Sequence, residues 1–231
     1  MDSEKLEQCI NDFNCDALAV IPGEFPEIKR LISKAQELRI PIIYYNIDSE
    51  FGERMCYVGC DYQKAGRIAA GMTALSIEKQ GKVCVVSYPG MSKYSYQERV
   101  IGFDAEMEAN HPNIQVAERI LLTKWEQGEK EVSRLYQDHP DLKAIYLVNP
   151  GDYSICRKIR ETMQGDIRII TNDMIAPEIL GNGTADVAIT QEPLVQGSQP
   201  LQFLFDYLAY GQKPETPNFY TKLAINVRES I

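Results

Sequence analysis

The chain has 231 residues, 44% hydrophobic and 25% charged, the balance of an ordinary globular protein with room for one domain or two half-sized lobes. A net charge of −9 argues against a chain that itself grips nucleic acid or an anionic membrane, both of which demand basic patches. No run is long and apolar enough to span a bilayer, and the acidic start Met1-Asp-Ser-Glu-Lys-Leu-Glu7 is unlike a signal peptide, so the expected compartment is the cytoplasm.

Six cysteines (Cys9, Cys15, Cys56, Cys60, Cys84 and Cys156) form no CxxC pair, and Cys84 lies inside the apolar run Val83-Cys-Val-Val86. They read as free thiols in a reducing compartment. With His111 and His139 they make no zinc spacing, so no metal and no cofactor is expected.

In chain order, helical and extended patterns alternate. Ser3 to Phe13 reads as a helix with Leu6, Cys9, Ile10 and Phe13 on one face, and Asp16-Ala-Leu-Ala-Val-Ile-Pro22 as a buried strand. Pro26 opens a helix with an apolar stripe at Ile28, Leu31, Ile32, Ala35 and Leu38, before the strand Pro41–Asn46. Cys56 to Gly59 is strand-like. Asp61 then stands where a helix N-cap belongs, and Ala65, Gly66, Ala69, Ala70 and Gly71 give the next helix a small face for packing on a sheet. That helix should run to about Lys79.

Lys82–Tyr88 is a strand, followed by a helix carrying Arg99, Phe103 and Met107. Ile114–Leu122 is extended, with Trp125 just beyond. Three further pairs follow: helix 129–137 with strand 143–149, helix 153–163 with strand 166–173, and a short helix with strand 185–191. A Leu- and Phe-rich helix, 195–210, leads through a polar turn to a last strand, 219–227. Strands separated by helices of this length mean βαβ units and parallel sheets, an α/β protein. Lys82 to Gln191 can form a doubly wound layer of its own, which favours two lobes over one wide sheet.

The carboxyl ends of these strands, where open α/β sheets bind ligands, carry Asn46, Asp48, Asp61, Trp125, Asn149, Asp173 and Gln191, with Arg99 joining from a helix. Amides, acids and a guanidinium offer paired donors and acceptors for vicinal hydroxyls, and an aromatic ring covers the apolar face of a sugar. Motifs for catalysis are missing: there is no GxSxG, GxxxxGK[ST] or GxGxxG. No enzyme is expected.

In Asp16–Pro22, Ile40–Asp48, Val58–Gly71, Gln97-Glu-Arg-Val-Ile-Gly-Phe103, His139–Tyr146, Asn172-Asp173 and Ala188–Gly197, the chain resembles the effector-binding domain of the lactose/galactose repressor (LacI) family, of periplasmic-binding-protein type I-like fold. The resemblance implies two Rossmann-like lobes with parallel sheets flanked by helices. The first would hold 1–60 and 192–220, the second 61–191 and 221–231. It implies a small sugar or polyol held in the cleft between them by Asn46, Asp61, Arg99, Trp125, Asn149, Asp173 and Gln191. The family's arginine beside the Asn46 position is Ile47 here. Members usually open with a strand, a helix and a second strand ahead of the segment that starts this chain. The first lobe is therefore expected to be incomplete, lacking its central strand, and either less stable or associating through that lobe. The implied role is the ligand sensor of a transcription regulator, acting as a homodimer and reaching DNA only through a head domain absent from this chain. The alternative is the substrate-binding protein of a sugar ABC transporter or chemotaxis system. An enzyme on the same scaffold is the third class.

Overall fold

The computed structural model describes residues 12, 15–88, 93–124, 127–149, 153–163, 167–173 and 177–230. The expected helix from Ser3 to Phe13 and the Trp125 position lie outside the described residues. The chain divides into two compact units, residues 1–61 with 192–222 and residues 62–191 with 223–231.

In the first unit β1 (Leu18–Val20), α1 (Pro26–Glu37), β2 (Ile42–Asn46) and β3 (Cys56–Gly59) follow one another. Pro26 is the first helical residue of α1, where its missing N–H leaves nothing unsatisfied. Successive strand residues point to opposite faces. Val20, Ile42, Tyr44 and Tyr57 therefore pack with Ile32 and Ala35 of α1 on one side, and Ile43, Cys56 and Val58 face the other. Leu38, expected on the buried stripe, lies one residue past the helix end and is exposed.

The second unit opens with α2 (Tyr62–Ser76), β4 (Gly81–Ser87), α3 (Lys93–Asn110) and β5 (Ile114–Leu121). It continues with α4 (Gly128–Asp138), β6 (Leu142–Leu147), α5 (Ser154–Thr162), β7 (Arg168–Asn172), α6 (Pro177–Gly181) and β8 (Val187–Gln191). The chain then supplies α7 (Pro193–Tyr210) and β9 (Asn218–Tyr220) to the first unit and β10 (Leu223–Asn226) to the second. The single last strand expected from 219 to 227 is thus two strands in two sheets, because β9 pairs parallel with β3 and β10 antiparallel with β8.

The first sheet runs β1-β2-β3-β9, all parallel, and the second β10-β8-β7-β6-β4-β5. Among the described residues the four strands of the first sheet form an unbroken ladder whose edges are β1 and β9. In the second unit, alternation again sorts the core. Cys84, Val86, Ile145, Leu147 and Ile169 pack beneath α4 and α5, while Val83, Val85, Ala144, Tyr146 and Ile170 pack against α2 and α3. Burying a side chain such as Leu135 or Ile159 contributes roughly 1.5–3 kcal/mol.

The small face of α2 serves two surfaces. Ala69 and Ala70 lie in the core against the sheet, as expected, and Ala74 joins them, but Gly66 faces α3: a Cβ there would fall 1.9 Å from the Arg99 carbonyl oxygen. Gly102 of α3 makes the matching approach, with a Cβ falling 2.0 Å from the Gln63 carbonyl oxygen. The two helices therefore touch backbone to backbone, which only glycine permits.

Candidate functional site

The carboxyl ends of the strands in the second unit converge on one charged group. Asp173 follows the last residue of β7 and takes a left-handed conformation, φ 71°. A non-glycine residue held there costs free energy and persists where the surroundings over-determine it, often at functional sites. Arg99 reaches it from the interior of α3. The guanidinium donates to Asp173 through Nη1 (3.2 Å to Oδ2) and through a short Nη2 contact to Oδ1, and Nη1 also lies 3.3 Å from the Val148 carbonyl oxygen. Tyr62, the first residue of α2, lies beneath the guanidinium with 5.0 Å from Cζ to the ring centroid. Gln191, at the end of β8, donates its Nε2 to Asp173 Oδ1 at 3.0 Å.

Arg99 is 3% exposed, whereas the Asp173 side chain keeps 35% of its surface open. Burial opposes the Arg99 charge, but the Asp173 carboxylate more than offsets it and holds the guanidinium above its ordinary range. Two buried polar atoms here have no hydrogen-bond partner: Arg99 Nε and Asn172 Oδ1. Buried polar groups are nearly always satisfied, so an orphan donor and an orphan acceptor around a half-open carboxylate suit a ligand with hydroxyls.

Asn172 was not among the expected site residues. Its Nδ2 donates to the Tyr146 hydroxyl (2.6 Å) and the Val148 carbonyl (3.1 Å), and Tyr146 stacks on Phe103 with centroids 4.7 Å apart. The signal for it was faint, because it ends an apolar strand and reads as part of that strand. Tyr153 was also missed. It precedes α5 in a left-handed conformation (φ 65°), and burial, with Cys156 and Asp173 nearby, pushes its hydroxyl up to about 12. Asn149 lies after β6 and spends its amide on the Tyr88 backbone, accepting from the N–H at 3.0 Å and donating to the carbonyl. It ties the end of β6 to the end of β4.

In the first unit Asn46 ends β2, also left-handed at φ 63°, and donates Nδ2 to Gln196 Oε1 at 2.9 Å. Gln196 of α7, 3% exposed, donates in turn to Thr221 Oγ1 at 3.2 Å, and the Thr221 hydroxyl lies 3.3 Å from the Gly59 carbonyl. Gln196 was missed, though a polar residue at helical spacing from Pro200 and Leu204 on a buried face was a legible hint. Asp48 is held by Arg54, whose Nε and Nη2 each donate at 2.7 Å. Asp61 directly precedes α2 and is half-buried. Burial pushes the Tyr220 hydroxyl up, and the charges of Asp61 and Asp48 add to it. Among the described residues no group of three or more His, Cys, Asp or Glu side chains could hold a metal ion.

Each unit is a sheet flanked by helices, all parallel in the first and parallel but for β10 in the second, an α/β architecture. Residues 2–213 match the model of the periplasmic binding protein domain, and the chain belongs to that family. It is 27% identical over 158 residues to the ribose import binding protein RbsB of Bacillus subtilis, covering 64% of this chain and 48% of that protein. It is 26% identical over 215 residues to the D-ribose/D-allose-binding protein of Pseudomonas aeruginosa, covering 87% and 65%. The chain thus spans about half to two-thirds of the length of these curated relatives. Its fold is similar to that of a proposed LacI transcriptional regulator from Bacteroides fragilis, with TM-score 0.81 and 21% identity over 98% of this chain and 79% of that one.

Proposed function

We propose that this chain binds a small sugar of the ribose or allose type as the substrate-binding component of sugar import. The observation that carries the reading is the Arg99–Asp173–Gln191 cluster with the orphan Arg99 Nε and Asn172 Oδ1 beside it. A hydroxyl donates to a carboxylate and accepts from a guanidinium, so a vicinal pair of hydroxyls meets a carboxylate already oriented by its own guanidinium. The curated relatives bind ribose and allose, which supports a monosaccharide over a larger ligand.

A second reading, the sugar-sensing domain of a LacI-type regulator in a reducing compartment, draws on the free thiols Cys56, Cys84 and Cys156 and on the regulator of similar fold. Deleting the gene separates the two: uptake of the cognate sugar is lost under the first, whereas only transcription of sugar genes changes under the second.

The binding claim itself is tested by thermal shift against a panel of pentoses, hexoses and polyols, since a ligand of the folded form raises its melting temperature. Calorimetry on Arg99→Ala and Asp173→Ala should then show each weakening the cognate sugar by ~2 kcal/mol or more, because partner groups are left unpaired in a desolvated place. A panel without any stabilising sugar, or variants with unchanged affinity, would overturn it.

A further inference from the structure

Asn172 ends β7 as a fully buried amide, and Tyr146 of β6 and Phe103 of α3 are fully buried with it. Burying an amide is unfavourable unless its hydrogen bonds are made, and here Oδ1 has no partner. The donor end is what the fold uses. Nδ2 lies 2.6 Å from the Tyr146 hydroxyl and 3.1 Å from the Val148 carbonyl oxygen. A carbonyl can only accept, so it fixes which way the amide is turned. Val148 stands one residue past the β6–β7 ladder, whose last pair is Leu147 with Thr171, and the Asn172 amide meets its carbonyl there.

The same carbonyl oxygen lies 3.3 Å from Arg99 Nη1, the nitrogen that also donates to Asp173 Oδ2. The direction of that carbonyl therefore sets where one arm of the guanidinium can stand. Tyr146 holds the far end of the connection. Its hydroxyl accepts from Asn172, while its ring stacks on Phe103 with centroids 4.7 Å apart and planes 17° from parallel. Phe103 follows Arg99 by four residues on α3, so the two share a face of that helix. Helix and strand end are thus registered by one tyrosine, through its ring on one side and its hydroxyl on the other. We propose that Tyr146, acting through Asn172 and the shared Val148 carbonyl, is a positioning residue that aims the Arg99 guanidinium at Asp173. The role rests on the sugar reading of Arg99 and Asp173, and it adds a buried side chain that does not itself meet the ligand.

Tyr146→Phe removes the hydroxyl and keeps the ring on Phe103. By calorimetry it should weaken the cognate sugar roughly tenfold, the scale of one lost hydrogen bond in a charged network. Asn172→Leu should weaken it at least as much. Ile170→Val, on the same strand two residues before Asn172, is the control: it loosens the core and lowers the melting temperature, but should leave affinity unchanged. Nitrogen-15 NMR of the ligand-free protein reads the arginine directly, with the Arg99 signals identified by their loss in Arg99→Ala. Exchange between Nη1 and Nη2 should be slow in wild type and in Ile170→Val, and faster in Tyr146→Phe and Asn172→Leu. That measurement needs no sugar, so it decides the positioning role even where no sugar in the panel binds. Nη exchange that is the same in all four proteins would overturn the proposal. So would a Tyr146→Phe affinity no lower than that of Ile170→Val, including the case in which Asn172→Leu alone weakens binding by losing a direct contact.

Discussion

Gly66 stands beneath the backbone of Arg99: a Cβ added to it would fall 1.9 Å from the Arg99 carbonyl oxygen and 2.8 Å from the Phe103 amide nitrogen. The guanidinium that orients Asp173 thus has its main chain fixed by a glycine on the neighbouring helix. Gly66→Ala must push α2 and α3 apart. Overpacking of this kind costs about 1–3 kcal/mol, and the displaced arginine should weaken sugar binding as well. Gly71→Ala on the same helix is the contrast, because no heavy atom lies within 4 Å of its Cβ position, and it should gain about 0.5–1 kcal/mol from helix propensity. Urea unfolding and calorimetry on the two variants check both effects; equal stability would remove the close approach as a cause.

Much of this arrangement was legible from the hydrophobic pattern. The unbroken apolar runs Ile42-Ile-Tyr-Tyr45 and Val83-Cys-Val-Val86 report strands covered on both faces, and Asp173 and Gln191 fall at strand ends whatever the exact register. Three things were not legible, for different reasons. The last strand splits because its residues serve two sheets, and no local pattern in 219–227 encodes a change of partner. Gly66 and Gly102 touch another helix rather than the sheet, and a small residue does not say which neighbour comes close. Asn172 and Gln196 matter through hydrogen bonds to residues 24 to 150 positions away, which only the fold brings together.

Gln196 bridges Asn46 and Thr221 from a buried position on α7, accepting from one and donating to the other. Gln196→Leu keeps the volume but leaves the Asn46 amide facing a methyl group. A lost partner of this kind costs about 1–3 kcal/mol. We expect that loss in urea unfolding, together with earlier amide exchange around β2 and β9. A variant as stable as wild type would show that water replaces the glutamine at no cost.

Burial pushes the Cys84 and Cys156 thiols up to about 12, and Cys56 and Cys60 are buried as well. The thiolate is the reactive form, so at neutral pH all four should resist alkylation in the folded protein, while the exposed Cys15 should react. Mass spectrometry after brief iodoacetamide treatment, native and in urea, reads this site by site. Native labelling of Cys84 or Cys156 at the unfolded rate would mean that the second sheet opens far more readily than its packing implies.

Hydrogen bonding from Arg134, only partly offset by burial, holds the Glu118 carboxyl below its ordinary value of 4.5, and Arg134 also pairs with Glu131 and Asp138. The folded state therefore binds a proton at Glu118 more weakly than the unfolded chain does. The pair's contribution is fully present above the unfolded value and is lost as pH falls through the lower folded one. Glu118→Gln should leave the protein less stable at pH 7 and make its stability fall less steeply below about pH 4.5. Because Arg134 is partly exposed, salt should shrink the difference. Parallel melting curves of wild type and variant over pH 3–7, at low and high salt, decide it. If the acid limbs coincide, the Glu118–Arg134 contact contributes nothing to acid stability, and the other carboxylates carry the whole slope.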